Sequence, residues 1–148
     1  MKISVQKEDF DLGKEVDLLR KDEKVGAVAS FVGQVREVAM TLEHYPGMTE
    51  NSIKKIVEEA NSRWQVMDCT VIHRYGELKP MDQIVLVAVA SGHRGDAFAA
   101  CEFIMDYLKT QAPFWKKEHR ADGARWVEAK AADDSAAERW QDPKRKAS

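Results

Sequence analysis

A chain of 148 residues with 44% hydrophobic side chains suits one domain built on one core. Lys and Arg total 23 against 25 Asp and Glu, a formal net charge of -2, so no global basic field draws the molecule to nucleic acid or an anionic membrane, and any anion site must be local. The N-terminus, MKISVQKEDF, is polar and no stretch approaches the ~20 apolar residues of a membrane span, so a cytoplasmic protein is expected.

Lys2 to Gln6 alternates as a short strand, and Leu12 to Lys21 suggests a short amphipathic helix. Val25 to Arg36 reads as a strand with Val25, Ala27, Ala29 and Phe31 on one face and Val28 and Val32 on the other; Gly33 should end or bend it. Thr41 to Tyr45 is a further strand, closed by Pro46 and Gly47. Ile53, Ile56, Val57, Ala60 and Trp64 recur at helical spacing, predicting a helix over Thr49 to Trp64 with Thr49 as N-cap. Asp68 to Tyr75 alternates as a strand, with Cys69, Val71, His73 and Tyr75 on one side, before a turn through Gly76 and Pro80. Gln83 to Ala90 is almost wholly apolar, the mark of a central strand covered on both faces.

Asp96 to Gln111 reads as a helix with a wide apolar face, broken by Pro113. Two short strands, Phe114 to His119 and Arg125 to Lys130, follow around a turn at Asp122 and Gly123, and Ala131 to Trp140 forms a last short helix. Strands and helices interleave, so the expected class is α+β, a mixed α/β domain over residues 1–140. Residues 141–148, polar and holding Pro143, read as a disordered tail.

The chemistry concentrates between Phe103 and Arg120. Lys109 sits on the last helical turn before Pro113, and Phe114 and Trp115 stand beside Lys116, Lys117, His119 and Arg120. One reading is a helix end with a solvated basic edge. The other is a pocket in which Lys109 and Lys116 converge on an anion or a carbonyl. Two close ammonium groups disfavour each other's protonation, and Phe114, Trp115 and Met105 would add desolvation. One lysine could then serve as a base or nucleophile while the other neutralises charge. Glu118, two residues beyond Lys116, should share its side of a strand and orient it by an ion pair. Lys130 could add a cation from the adjacent strand.

His93 and Arg94 lie between a buried strand and a helix N-terminus, where free N–H groups and a forked guanidinium suit an anion. Capping or solvating the turn is the plainer alternative. His44 and Tyr45, before a Pro-Gly turn, read as supporting packing or a subunit contact, and His73 and Arg74 as sheet residues. The four histidines form no metal-ligand pattern, so no metal is expected, and no Gly-rich phosphate loop is present. The two cysteines, Cys69 and Cys101, stand apart on apolar faces and read as buried, inert thiols.

MDYLKTQAPFWKKE, from Met105 to Glu118, resembles the signature of the large, catalytic subunits of molybdopterin synthase. SFVGQVR (Ser30 to Arg36), LEHYPGMTE (Leu42 to Glu50), VIHRYGELKPMDQIVLVAVASGHRGDAF (Val71 to Phe98) and DGARWVEAK (Asp122 to Lys130) agree with that family in order along the chain. The resemblance implies an α/β hammerhead-type fold and a homodimer, within a heterotetramer completed by a small ubiquitin-like sulfur-carrier subunit. It implies a sulfurtransferase that inserts two sulfurs into a cyclic pyranopterin monophosphate, with no cofactor of its own. The sulfur would arrive as a thiocarboxylate on the partner's C-terminal Gly-Gly tail. It implies catalytic roles for Lys109 and Lys116. Substrate-binding roles would fall to Gln34, Val35, Arg36, His93, Arg94, Lys117, Glu118 and Lys130, in a site at the dimer interface. Only residues 37–41 separate Arg36 from Leu42, a shorter link than many relatives carry, which weakens any lid role there. A non-catalytic dimer that binds a phosphorylated metabolite or a partner's tail is the competing reading; arginines would serve such binding as well as lysines do.

Overall fold

The computed structural model describes residues 1–127 and 131–141. Its elements run β1 (Lys2–Gln6), α1 (Leu12–Leu19), β2 (Ala27–Gln34), β3 (Met40–His44), α2 (Met48–Arg63) and β4 (Val66–Arg74). They continue through β5 (Gly76–Leu78), β6 (Gln83–Ser91), α3 (Arg94–Thr110), β7 (Phe114–Arg120), β8 (Gly123–Val127) and α4 (Ala131–Glu138) to a 3-10 turn at Arg139–Gln141. The mixed α/β class is as expected from the sequence.

Two four-stranded sheets organise these elements, in the orders β1-β4-β6-β2 and β5-β3-β7-β8. In the first sheet β1 runs parallel to β4, while β4–β6 and β6–β2 are antiparallel. The apolar run of β6 is explained by cover on both faces. Val85, Val87 and Val89 join Ile53, Val57 and Ala60 of α2 and Ala97, Ala100 and Ile104 of α3 in the main core. Leu86, Ala88 and Ala90 meet Ile72 of β4 and Leu19 of α1 on the reverse face. Each fully buried Val, Leu or Ile among them contributes roughly 1.5–3 kcal/mol, and each alanine less. The chain's end closes the main core: Trp140, fully buried, meets Trp64 and Phe103 edge-on and donates its indole N–H to Asp106 Oδ2 at 2.6 Å.

The second sheet is antiparallel throughout. A small cluster of Val35, Met40, Leu42 and Leu78 seals its junction with the first. Gly33 behaves as its sequence position implied, because the β2–β6 register slips between Gly33 and Gln34.

Several expectations are corrected. Thr49 does not cap α2; Gly47 occupies that position at φ 82, which favours glycine. Thr49 Oγ1 instead accepts from the Tyr45 N–H at 3.0 Å and donates to the Pro113 carbonyl at 3.1 Å, tying α2 to the break after α3. Gly76–Leu78, read as part of a turn, forms β5 against β3. Val25 packs with Val28 and Val32 rather than with Ala29. Gly123, read as turn, opens β8, and α3 begins at Arg94 rather than Asp96. Both cysteines are free and buried. Residues 142–148 of the expected tail lie outside the described residues, whereas Gln141 belongs to the final 3-10 turn. Among the described residues, no helix is long and apolar enough to cross a membrane.

Candidate functional site

Pro113 ends the helix that carries Lys109 and turns the chain directly into β7. The Gln111 N–H still bonds back to the Tyr107 carbonyl at 2.7 Å, and Phe114 then starts the strand opposite His44. Because side chains alternate along a strand, β7 sorts its residues onto two faces. Phe114, Lys116 and Glu118 oppose His44, Leu42 and Met40 of β3, the face on which Met40 and Leu42 are buried. Trp115 and Lys117 oppose Glu43 and Thr41 on the other face.

This reversal brings Lys109 and Lys116 to one pocket of about 290 Å³ between the sheets and the end of α3. Its walls are mixed: Leu42, Ile84, Met105, Leu108 and Phe114 supply apolar surface, and Gln34, His73 and Asp133 supply polar groups beside the lysines. Lys109 is exposed, on the last turn of α3, where the negative end of the helix dipole favours a cation. Lys116 is half-buried, its Nζ 3.5 Å from Glu118 Oε1, and Glu118 Oε2 lies 2.5 Å from the Arg120 guanidinium. Burial pushes the Glu118 carboxyl up. The hydrogen bond and charge of Arg120, with the charge of Lys116, outweigh that and hold it below the usual carboxylate range. Two cations in a concavity with apolar side chains on its wall can hold a phosphate or carbonyl and stabilise a developing oxyanion.

The other candidate residues are placed differently. Gln34 lines the pocket, at the bulge that ends β2. Val35 is buried in the small cluster; its N–H donates to the Asp82 carbonyl and its carbonyl accepts from the Met81 N–H, each at 2.9 Å, so its role in one chain is to fix the turn beneath Gln34. Arg36 is exposed and does not line the pocket. Lys117 lies 5.4 Å from the ring centroid of Trp126 on the far face of the second sheet. Trp115, expected to stand over the lysines, is 48% exposed on that same far face; Phe114 and Met105 line the pocket. Lys130 lies outside the described residues.

His93 and Arg94 occupy the N-terminal end of α3, so Arg94 stands about 22 Å along the helix from Lys109 at 1.5 Å per residue. Within one chain they do not reach the lysine pocket. Arg94 borders a separate groove between β2 and α3, where Phe31 and Phe98 are 42% and 64% exposed.

Sequence reasoning passed over His73 and Asp133, both of which line the lysine pocket. The signal for His73 was its place in strand alternation with Cys69 and Val71, a titratable ring at a core position. Asp133, in the first turn of α4, carried no such signal. Among the described residues, no three His, Cys, Asp or Glu side chains gather as metal ligands.

A family model described as MoaE protein matches residues 5–111. The chain is 60% identical over 146 residues to a molybdopterin synthase catalytic subunit of Ralstonia nicotianae, an alignment covering 93% of this chain and 83% of that one. It resembles a solved molybdopterin biosynthesis MoaE protein from Burkholderia ambifaria with a TM-score of 0.83 at 58% identity, over 95% of this chain and 98% of that one. A structure of molybdopterin synthase from Staphylococcus aureus matches with a TM-score of 0.78 at 34% identity, over 84% of this chain and 95% of the other.

Proposed function

Since the chain belongs to the MoaE family of molybdopterin synthase catalytic subunits, enzymes of molybdenum-cofactor biosynthesis, we propose that it inserts two sulfurs into a cyclic pyranopterin monophosphate at the Lys109–Lys116 pocket. The observation that carries this reading is the convergence of those two lysines, from different elements, on one cavity. Lys109 acts at the thiocarboxylate and the reacting pterin carbon. Lys116, oriented by Glu118, assists as acid/base or as electrostatic stabiliser. The sulfur comes from the C-terminal thiocarboxylate of a small ubiquitin-like subunit, whose Gly-Gly tail enters the pocket.

Arg36, His93 and Arg94 hold the substrate phosphate and pterin. The length of α3 separates His93 and Arg94 from Lys109 of the same chain, so in this reading a second protomer supplies them. The exposed Phe31 and Phe98 beside Arg94 give that protomer an apolar face to cover.

A single-turnover assay tests the proposal. The protein is mixed with the pterin precursor and a thiocarboxylated small subunit, and the product is read by mass spectrometry. The expected result is a gain of two sulfurs that disappears with Lys109→Ala in a protein that still folds and binds its partner. Full activity in that variant removes Lys109 from the mechanism; no product from the unaltered protein, despite tight partner binding, overturns the sulfur-transfer reading.

A further inference from the structure

His73 has a defined place in the pocket but no role in the reaction described above. It lies near the end of β4, between β1 and β6, and is only 8% exposed while lining the cavity. Its imidazole stacks almost flat on Phe114, with ring centroids 3.7 Å apart and planes 18° apart. Its Nδ1 lies 2.9 Å from the Arg74 carbonyl. A carbonyl can only accept, so Nδ1 carries the proton and, in the neutral ring, Nε2 carries a lone pair.

The carbonyl that fixes this tautomer is itself held. Arg74 donates from Nε to the Lys7 carbonyl at 3.0 Å and from a terminal nitrogen to the Gln83 carbonyl at 2.8 Å. The ring therefore cannot turn without breaking a stack and a hydrogen bond anchored in the first sheet. Among the described residues, Nε2 has no protein hydrogen-bond partner.

The pocket's chemistry calls for such an acceptor. As ammonium groups, Lys109 and Lys116 only donate, so in that form they can meet a phosphate or a carbonyl but not an N–H. The other acceptors on the wall, Gln34 and Asp133, are exposed and half-buried respectively; His73 is the deeply set one among the described residues. A pterin presents a row of N–H donors on a flat ring, and the surrounding Leu42, Ile84, Val85 and Phe114 suit a flat ring.

We propose that His73 is a substrate-recognition residue, its Nε2 accepting a hydrogen bond from a ring N–H of the pterin at the base of the lysine pocket. This rests on the pterin reading of the site. Burial, helped by the neighbouring Lys109 and His44, pushes the imidazole down to about 4 against the pull of the Arg74 carbonyl. At neutral pH it is therefore uncharged, and its lone pair remains available to a donor.

The test compares the full-length protein with His73→Phe and His73→Gln. The first keeps a flat ring for Phe114 and removes the acceptor; the second restores an amide acceptor. Binding of the cyclic pyranopterin monophosphate and of the thiocarboxylated small subunit is measured separately, alongside thermal unfolding and steady-state kinetics. His73→Phe should weaken precursor binding roughly tenfold, as expected for one lost hydrogen bond at a desolvated site. KM should rise with kcat little changed, small-subunit affinity should hold, and His73→Gln should recover part of the loss. Unchanged precursor binding by a folded His73→Phe protein overturns the proposal, as does weakening of the small subunit alone, which would assign the acceptor to the tail's amides.

A second measurement needs no variant. In protein with 15N-labelled histidine, adding precursor should move the Nε2 resonance of His73, and an unmoved resonance refutes the contact. Failure of the unaltered protein to bind precursor at all overturns the pterin reading itself. Normal binding with no response at His73 overturns only this inference.

Discussion

Glu118 joins Lys116 to Arg120: its two carboxylate oxygens lie 3.5 Å from the Lys116 ammonium and 2.5 Å from the Arg120 guanidinium. All three side chains fall at alternate positions of β7, on the face that lines the pocket at Lys116. The pairing gives Lys116 a fixed direction in a strand that otherwise offers it only the apolar Leu42 and Val127 opposite. Glu118→Gln should leave the fold intact and lower kcat/KM two- to fivefold, the effect expected of a partly exposed pair worth about 0.5–1 kcal/mol. Because the carboxyl is held below its usual range, the pairing is complete at neutral pH and fades as pH falls through the lowered value. Steady-state kinetics with a circular-dichroism control decide the matter, and an unchanged kcat/KM removes Glu118 from the positioning of Lys116.

The two cysteines should prove dispensable for sulfur transfer. Burial pushes the Cys69 thiol up to about 11 and the Cys101 thiol up to about 12, so neither supplies thiolate at neutral pH. Cys101 donates weakly to the Val87 carbonyl at 3.6 Å, as a core residue rather than a nucleophile. The Cys69→Ala/Cys101→Ala protein should therefore retain product formation within about twofold, with a stability loss of about 1 kcal/mol per site from the lost sulfur packing. Single-turnover product yield together with a urea midpoint separates the two effects. A folded double variant without activity would mean that a protein thiol carries sulfur.

In the proposed homodimer, hybrids of two variants can expose a site assembled from two chains. Lys109→Ala and Arg94→Ala proteins should each be strongly impaired alone. In a mixture that exchanges protomers, half the dimers become hybrids, and each hybrid holds one site with both residues intact. Activity should rise on mixing towards about a quarter of the unaltered level, the share set by two-fold symmetry. The assay is product yield before and after co-refolding. No recovery, in dimers shown by mass spectrometry to be mixed, would mean that Arg94 does not serve Lys109 of a partner.

The fold was readable where periodicity is strong. The unbroken QIVLVAVA run of β6 and the Ile53–Ile56–Val57–Ala60 stripe of α2 each state their own burial. β5 was not readable, because its three residues begin at Gly76 and stop just short of Pro80, and only pairing with β3 makes them a strand. Lys109 and Lys116 drew attention through composition and resemblance, but no spacing rule brings residues on a helix and a strand together. The chain reversal at Pro113 does that, and the β3–β7 register decides that Lys116 faces inward while Lys117 and Trp115 face outward. Strand alternation could have separated Phe114 from Trp115 in advance. His93 and Arg94 look near Lys109 in a short motif-rich segment, yet a straight helix holds them apart, a distance evident once α3 is drawn at full length.

His73 should also leave a signature on stability against pH. Its folded value of about 4 lies below the ordinary 6.5, so between those values the unfolded chain takes up a proton that the folded chain refuses. The contribution of the neutral ring is thus complete above about 6.5 and is lost as pH falls towards 4, roughly 2–3 kcal/mol by pH 4.5 from a shift worth 1.36 kcal/mol per unit. Lys109 on α3 and His44 on β3 oppose its charging; Lys116 on β7 and Asp133 on α4 share its pocket, so total acid sensitivity is a sum over groups. The difference between the unaltered protein and His73→Phe isolates this one. Urea midpoints from pH 7.5 to 4.5 should fall steeply for the first and more gently for the second. Parallel curves would mean that the imidazole is already charged, or freely solvated, in the folded pocket.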